Sequence, residues 1–235
     1  MFKNTVLSVL LIASGLYGAN LKVAAGAGYK KPLMEVIAHY EKENEKIDAI
    51  FGNMKQVSTQ AKMTDIALII GDHTFLSQKS GLDFSGFILL GNGKVVIAYP
   101  KGTTITSVEQ LSQTSIAKIS MPQPQKAIYG IAGKEFLQNA NLYERVKDKL
   151  YIVATVPQSM TYALTNEVDA AIVNLTAALA NEDKIGGYLQ VPQQYYSPIE
   201  NVAGKLPACN DRKCKNFIDF LSSQTAKAIF TKYGL

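Results

Sequence analysis

The segment that most limits how this chain can fold is residues 21–40, Leu-Lys-Val-Ala-Ala-Gly-Ala-Gly-Tyr-Lys-Lys-Pro-Leu-Met-Glu-Val-Ile-Ala-His-Tyr. Residues 21–25 form a short, nearly continuous apolar run, the pattern of a strand covered on both faces. Gly26 to Gly28 turns the chain, and Leu33, Met34, Val36, Ile37 and Tyr40 then recur at helical spacing. Pro32 suits the first turn of that helix, where its missing N–H costs nothing. A buried strand that passes through a glycine turn into an amphipathic helix commits the chain to a sheet with helices packed on its faces.

The same alternation continues to the end. Strands are expected over residues 48–51, 66–70, 87–90, 94–99, 116–120, 151–155 and 170–173, with 87–90 and 94–99 joined through a Gly91-Asn-Gly93 turn. Helices are expected over 107–111, 129–139, 159–165, 215–222 and 224–233, and residue 191 and the stretch 195–202 read as extended. Alternating strand and helix implies an α/β architecture of largely parallel strands, and ligands of such sheets bind beyond the strands' carboxyl ends. Three loops there lead from a strand into a helix N-terminus: residues 26–31, 52–56 and 123–130. Converging helix N-termini offer free N–H groups and the positive dipole end to an anion.

Ahead of this unit, residues 1–19 read as an export signal. Lys3 precedes an apolar run over residues 6–13, followed by Ser14, Gly15, Gly18 and Ala19. The run is too short to span a membrane, and no cysteine near the cleavage point invites a lipid anchor, so the mature chain is expected free in the periplasm. In an exported protein Cys209 and Cys214, in Pro-Ala-Cys-Asn-Asp-Arg-Lys-Cys-Lys, are expected to form a local disulfide before the last helices. The net charge of +5 is small and spread out, and Arg145 and Arg212 are the only arginines, which argues against nucleic acid. The only histidines, His39 and His73, lie far from the cysteines, so no metal site is read, and no cofactor either. The sequence holds no Ser-His-Asp set and no Gly-Lys-Ser/Thr loop, so an enzyme is not expected.

Five ordered segments carry a resemblance: Val23-Ala-Ala-Gly-Ala-Gly28, Thr64-Asp-Ile-Ala-Leu-Ile-Ile-Gly-Asp72, Gly91-Asn-Gly-Lys-Val-Val-Ile-Ala-Tyr-Pro-Lys101, Ala127-Ile-Tyr-Gly-Ile-Ala-Gly-Lys-Glu-Phe-Leu137, and the ending from Phe220 to Gly234. Together they resemble the periplasmic molybdate-binding proteins of ABC importers, within the two-lobed type II periplasmic binding proteins. The resemblance implies two lobes, each a mainly parallel sheet flanked by helices, joined by two hinge crossovers near Tyr99-Pro100 and Tyr195-Tyr196. Lobe 1 would be residues 20–98 plus 197–235, and lobe 2 residues 99–196. It further implies a monomer that closes on molybdate or tungstate in the inter-lobe cleft and delivers it to an ABC permease and its ATPase.

The family's serines fall on Gly28 or Tyr29 in the first loop and on Asn53 or Met54 in the second. Its tyrosine falls on Asn174, and its backbone donors on Tyr129 and Met160, with Ser159 beside the latter as a helix cap. Tyr29, Asn53 and Gln56 can donate to an oxyanion, and each equally suits a local role, as a packing aromatic or a turn cap. Lys30 and Lys55, with Lys31, could add charge to the site or simply face solvent, because lysine at a helix N-terminus opposes the dipole. Asp72 reads as a helix cap. A site of neutral donors would reject protonated anions by lacking an acceptor. Lysines facing the cleft would instead favour a small carboxylate or a phosphorylated metabolite. An exported adhesin or antigen on the same scaffold is the remaining alternative.

Overall fold

The computed structural model describes residues 19–235, so the export segment read over residues 1–19 lies, but for its last residue, outside the described residues. The described strands form two five-stranded sheets. The first contains β1 (Leu21–Gly26), β2 (Ile47–Gly52), β3 (Leu68–Asp72), β4 (Gly86–Gly93) and β10 (Ile199–Lys205), in the order β2-β1-β3-β10-β4. The second contains β5 (Val95–Tyr99), β6 (Ile119–Pro122), β7 (Leu150–Val153), β8 (Ala170–Asn174) and β9 (Gly187–Gln190), in the order β7-β6-β8-β5-β9. The helices are α1 (Lys30–Tyr40), α2 (Met54–Ala61), α3 (His73–Lys79), α4 (Ile128–Asn139), α5 (Tyr143–Val146), α6 (Val156–Leu164), α7 (Leu175–Leu179), α8 (Arg212–Leu221) and α9 (Gln224–Lys232).

Both sheets follow one plan. β1 pairs in parallel with β2 and β3, and β6 with β7 and β8. β10 runs antiparallel to β3 and β4, and β5 antiparallel to β8 and β9. Each sheet therefore has one reversed strand, in fourth place, and it is the strand by which the chain enters from the other sheet. This is the type II two-lobed periplasmic binding fold.

Strand alternation distributes the core to both faces of each sheet. In β5, Val95 and Ile97 pack with Phe136 and Leu137 of α4, while Val96 and Ala98 pack with Met160 and Ala163 of α6. In the first sheet, Leu68 and Ile70 meet α1, α8 and α9 through Leu33, Phe217 and Phe230, and Ile69 meets Val57 of α2 and Leu76 of α3.

Two expectations change. Residues 91–93 are not a hairpin turn: Gly91 and Gly93 pair with Asn201 and Ile199, so β4 stays extended through them and the chain leaves for the other sheet at Lys94. The crossover expected at Tyr99-Pro100 thus lies at Lys94, and Val95–Ala98, expected to end lobe 1, pair with β8 in the second sheet. The second crossing spans residues 191–198, and its Tyr196 hydroxyl accepts the Val95 N–H at 3.1 Å, tying the two crossings together.

The expected disulfide between Cys209 and Cys214 is present, with Cα atoms 5.3 Å apart. Among the described residues no helix is long and apolar enough to cross a membrane, and no group of His, Cys, Asp or Glu gathers to hold a metal ion.

Candidate functional site

Register alone brings one set of ends together. The carboxyl ends of β1, β2 and β3 lie at the level where β10 begins, because Asn201 pairs with Asp72 and Ile199 with Gly93. The carboxyl end of β8 lies where β5 begins, because Asn174 pairs with Val95. Both sets of ends therefore face the crossings, where α1, α2 and α3 of the first sheet and α4, α6 and α7 of the second also start.

At this waist sits a polar cluster drawn from both sheets. Tyr29, in the short 3-10 turn before α1, donates its hydroxyl to Asn201 Oδ1 at 2.7 Å. Asn201 is 2% exposed, and its amide nitrogen has no partner. Asp72 faces the same side of the sheet as Asn201, as directly opposed residues of an antiparallel pair must. From the second sheet, Tyr129 in the first turn of α4 reaches across, and its hydroxyl occupies the space a Cβ on Gly93 would need. The Asn174 side chain lies close enough to the Tyr129 hydroxyl to oppose its pKa rise, and its Oδ1 accepts the Ala177 N–H at 3.0 Å to cap α7.

Burial, together with the charge of Asp72 and the other phenol, pushes the Tyr29 hydroxyl well above the usual tyrosine range. The Tyr129 phenol is also pushed up by burial, with the neighbouring Asn174 amide opposing and Tyr196 and Asp72 adding to the rise. Both phenols therefore stay protonated and able to donate at physiological pH. Asp72 is 5% exposed, and burial raises its pKa against the Phe75 N–H it accepts at 2.8 Å. The expectation of a site without an ionisable acceptor is thus modified: a carboxyl stands beside the donors, and its capping role does not remove it from the cluster.

The remaining sequence-derived residues separate clearly. Gly28 is exposed, with open space where a Cβ would sit. Asn53 caps α2: its Oδ1 accepts the Gln56 N–H at 2.9 Å while Gln56 Oε1 accepts the Asn53 N–H at 3.1 Å, so both residues keep only their NH2 groups for other partners. The Met54 side chain wedges against Gly26 and Gly71, closing the ends of β1 and β3. Its N–H, the first of α2, lacks an intrahelical acceptor.

Ser159 does not cap α6. The helix starts three residues earlier, Thr155 is its cap, and the buried Ser159 hydroxyl is shared between Ser120 at 2.9 Å and the Ile172 carbonyl at 3.2 Å. Met160 is 3% exposed within the core against the second sheet, and its N–H lies beyond the helix's first four, where the helix uses it. Lys30 and Lys55 are exposed, and the Lys30 ammonium lies 5.8 Å from the centre of the Phe51 ring.

Sequence reasoning missed Asn201 as a site residue. A signal was present: Glu200 and Asn201 interrupt an otherwise apolar strand, Ile-Glu-Asn-Val-Ala-Gly. Two surface cavities, of about 240 and 430 Å3, lie elsewhere. Their linings include Lys118 and Val168, just before β6 and β8, and Leu206, just after β10, at the opposite ends of the sheets.

Two such sheets, joined by two crossings with polar side chains gathered at the junction, are the architecture of the two-lobed periplasmic binding proteins. The chain belongs to the family of bacterial extracellular solute-binding proteins, which it matches over residues 21–235. It is 28% identical over 225 residues to YvgL of Bacillus subtilis, provisionally named an ABC transporter substrate-binding lipoprotein, covering 91% of this chain and 85% of that protein. It is 25% identical to the molybdate-binding protein ModA of Rhodobacter capsulatus, covering 90% of this chain and 86% of that one. The solved substrate-binding domain of a provisionally named molybdenum ABC transporter from Clostridium difficile superposes with a TM-score of 0.80 at 21% identity, covering 92% of this chain and 97% of that one.

Proposed function

We propose that this protein binds molybdate or tungstate between its lobes in the periplasm and, as a monomer, delivers it to an ABC permease and its ATPase. The observation that carries this reading is the meeting of two partly buried neutral phenols, Tyr29 from the first-sheet side and Tyr129 from the second, with the amides of Asn174 and Asn201. Hydrogen bonds from neutral donors to an ion are about twice as strong as neutral pairs, so a few fixed donors hold a dehydrated oxyanion without a cationic partner. The first loop turn, α2 and α4 add helix N-termini with free N–H groups. The relatedness to ModA supports the choice of anion.

Lobe 1 is assigned to the first sheet with its helices, and lobe 2 to the second, with the hinge at Lys94 and residues 191–198. Closure brings Tyr129 over Gly93, which places a donor from each lobe on one ligand. Gln56, Asn53 and the Met54 N–H remain candidates for the rim, and Gly28 for the turn that lets the first loop approach.

Thermal unfolding of the mature protein with molybdate, tungstate, sulfate, phosphate and small carboxylates tests the reading. A ligand at one hundred times its Kd stabilises the native state by about 2.7 kcal/mol, a shift readily seen. Stabilisation by molybdate and tungstate but not sulfate is the expected outcome. A flat response to both, with a hit among the organic anions, overturns the ligand assignment.

A further inference from the structure

We propose that Asn201, on the strand returning from the second crossing, is a direct ligand contact that donates a hydrogen bond from Nδ2 to an oxygen of the bound anion. The proposal rests on the oxyanion reading above and names a contact outside the loops that the resemblance points to. Three observations support it.

The first is incomplete bonding. A buried amide nitrogen without a partner carries its full desolvation cost, and folds rarely leave one so. Asn201 is 2% exposed, and Nδ2 is one of only three buried side-chain polar atoms without a hydrogen bond among the described residues. The other two, Ser58 Oγ and Thr176 Oγ1, are hydroxyls on helices, able to rotate about one bond. The Asn201 amide lacks that freedom, because its oxygen is already committed.

The second is orientation. The Tyr29 hydroxyl donates to Oδ1 at 2.7 Å, which makes that end of the amide the acceptor. The NH2 group projects from the same planar carbon in another direction, with both of its hydrogens available. Tyr29 is thereby a positioning residue for Asn201, its single hydroxyl proton being committed to Oδ1.

The third is placement. Asn201 stands opposite Asp72 on one side and Gly91 on the other, at the level where the first-sheet helices begin, and the β10–β4 ladder shifts register between Asn201 and Val202. Such irregularities re-aim side chains, and they gather beside binding sites. An anion lodged there gains a donor from the hinge strand itself, so ligand capture is coupled to the segment about which the lobes move.

The experiment compares wild type with Asn201→Leu, which keeps the side-chain volume and removes both polar atoms, and with Tyr29→Phe, which keeps the ring and frees the amide. Calorimetric titration with molybdate is expected to show about a thirtyfold weaker Kd for N201L. Y29F is expected to weaken it several-fold, and both variants should unfold cooperatively without ligand. In wild-type protein labelled with 13C and 15N, the Asn201 side-chain NH2 resonances, assigned through their connectivity to the Asn201 backbone, should move on saturation with molybdate. An N201L affinity equal to wild type, or NH2 resonances that stay in place, overturns the proposal and leaves the oxyanion reading standing. If N201L does not fold, the wild-type spectrum decides alone. A wild type that binds neither molybdate nor tungstate overturns the oxyanion reading and this proposal with it.

Discussion

Strands β5 and β10 hold the same place in their sheets, fourth in order and reversed against their neighbours, yet their waist ends differ in chemistry. In β5 Val95, Val96, Ile97 and Ala98 are wholly buried, and the Val95 N–H is satisfied by the Tyr196 hydroxyl. In β10 the corresponding end carries exposed Glu200 and buried Asn201, with an amide nitrogen unsatisfied. Topology requires a strand at both places and imposes no polarity on either. One crossing serves as an apolar pin through the second sheet, while the other carries donors at the junction of the lobes.

The strongest way to break this contrast is Ile97→Ala, which should cost about 3 kcal/mol, because Ile97 is fully buried among strands and α4 and the space it leaves cannot collapse. Urea denaturation measures the loss, and the stabilisation added by ligand should stay as in wild type. A loss of ligand response with I97A would show that β5 also serves the site. β10 differs again at its far end, since the Cys209–Cys214 bridge anchors the loop leading from it to α8. Replacing both cysteines by serine should lower stability by about 2 kcal/mol in the same assay, as expected for so short a closed loop.

Tyr196→Phe should cost about 1.5 kcal/mol, because it leaves the buried Val95 N–H without its acceptor. The comparison with I97A then separates packing of β5 from its polar tie to the second crossing. The smallest effect belongs to Asp72→Asn, which retains a side chain able to cap α3 while removing the charge beside Asn201. It should tighten molybdate binding roughly tenfold by titration calorimetry.

The same variant tests pH dependence. Burial holds the Asp72 pKa above 3.8, so the folded state retains its proton more readily than the unfolded chain. That contribution is complete below the unfolded value and is lost as pH rises through the raised one. Wild type should therefore lose stability relative to D72N as pH rises above the ordinary aspartate range. A difference that grows with pH in the opposite sense would place Asp72 in a more favourable charge environment than the waist provides.

Much of the architecture was legible because periodicity is local. The strand, turn and helix from Leu21 to Tyr40 appear with nearly the bounds expected, and so do the two closing helices and the disulfide before them. The error at Gly91-Asn-Gly93 shows the limit of that logic. Glycine and asparagine suit a tight turn, and the two flanking apolar runs suit a hairpin, but those runs find partners in different sheets. Ser159 shows the same limit for caps, since Thr155 with Pro157 in the first turn starts that helix earlier.

The site was legible only in outline. Tyr29, Tyr129 and Asn174 sit in loops and at helix starts, where motif reasoning looks, and they meet at the waist. Asn201 lies inside a strand, away from the loops and helix starts, and beside Glu200 only a break in the apolar run marks it. Its distinction comes from Tyr29, far away in the chain, taking one end of the amide and leaving the other unpaired.

By itself, then, the amino-acid order determined the element types, the α/β class, the disulfide loop and the loops that start helices, because these depend on propensities and spacings a few residues long. Only the tertiary structure decided where the chain crosses between sheets, which of the two crossing strands is polar, and which donors meet. Those outcomes depend on pairing register and on burial, and both are set by residues that are neighbours in space and distant in sequence.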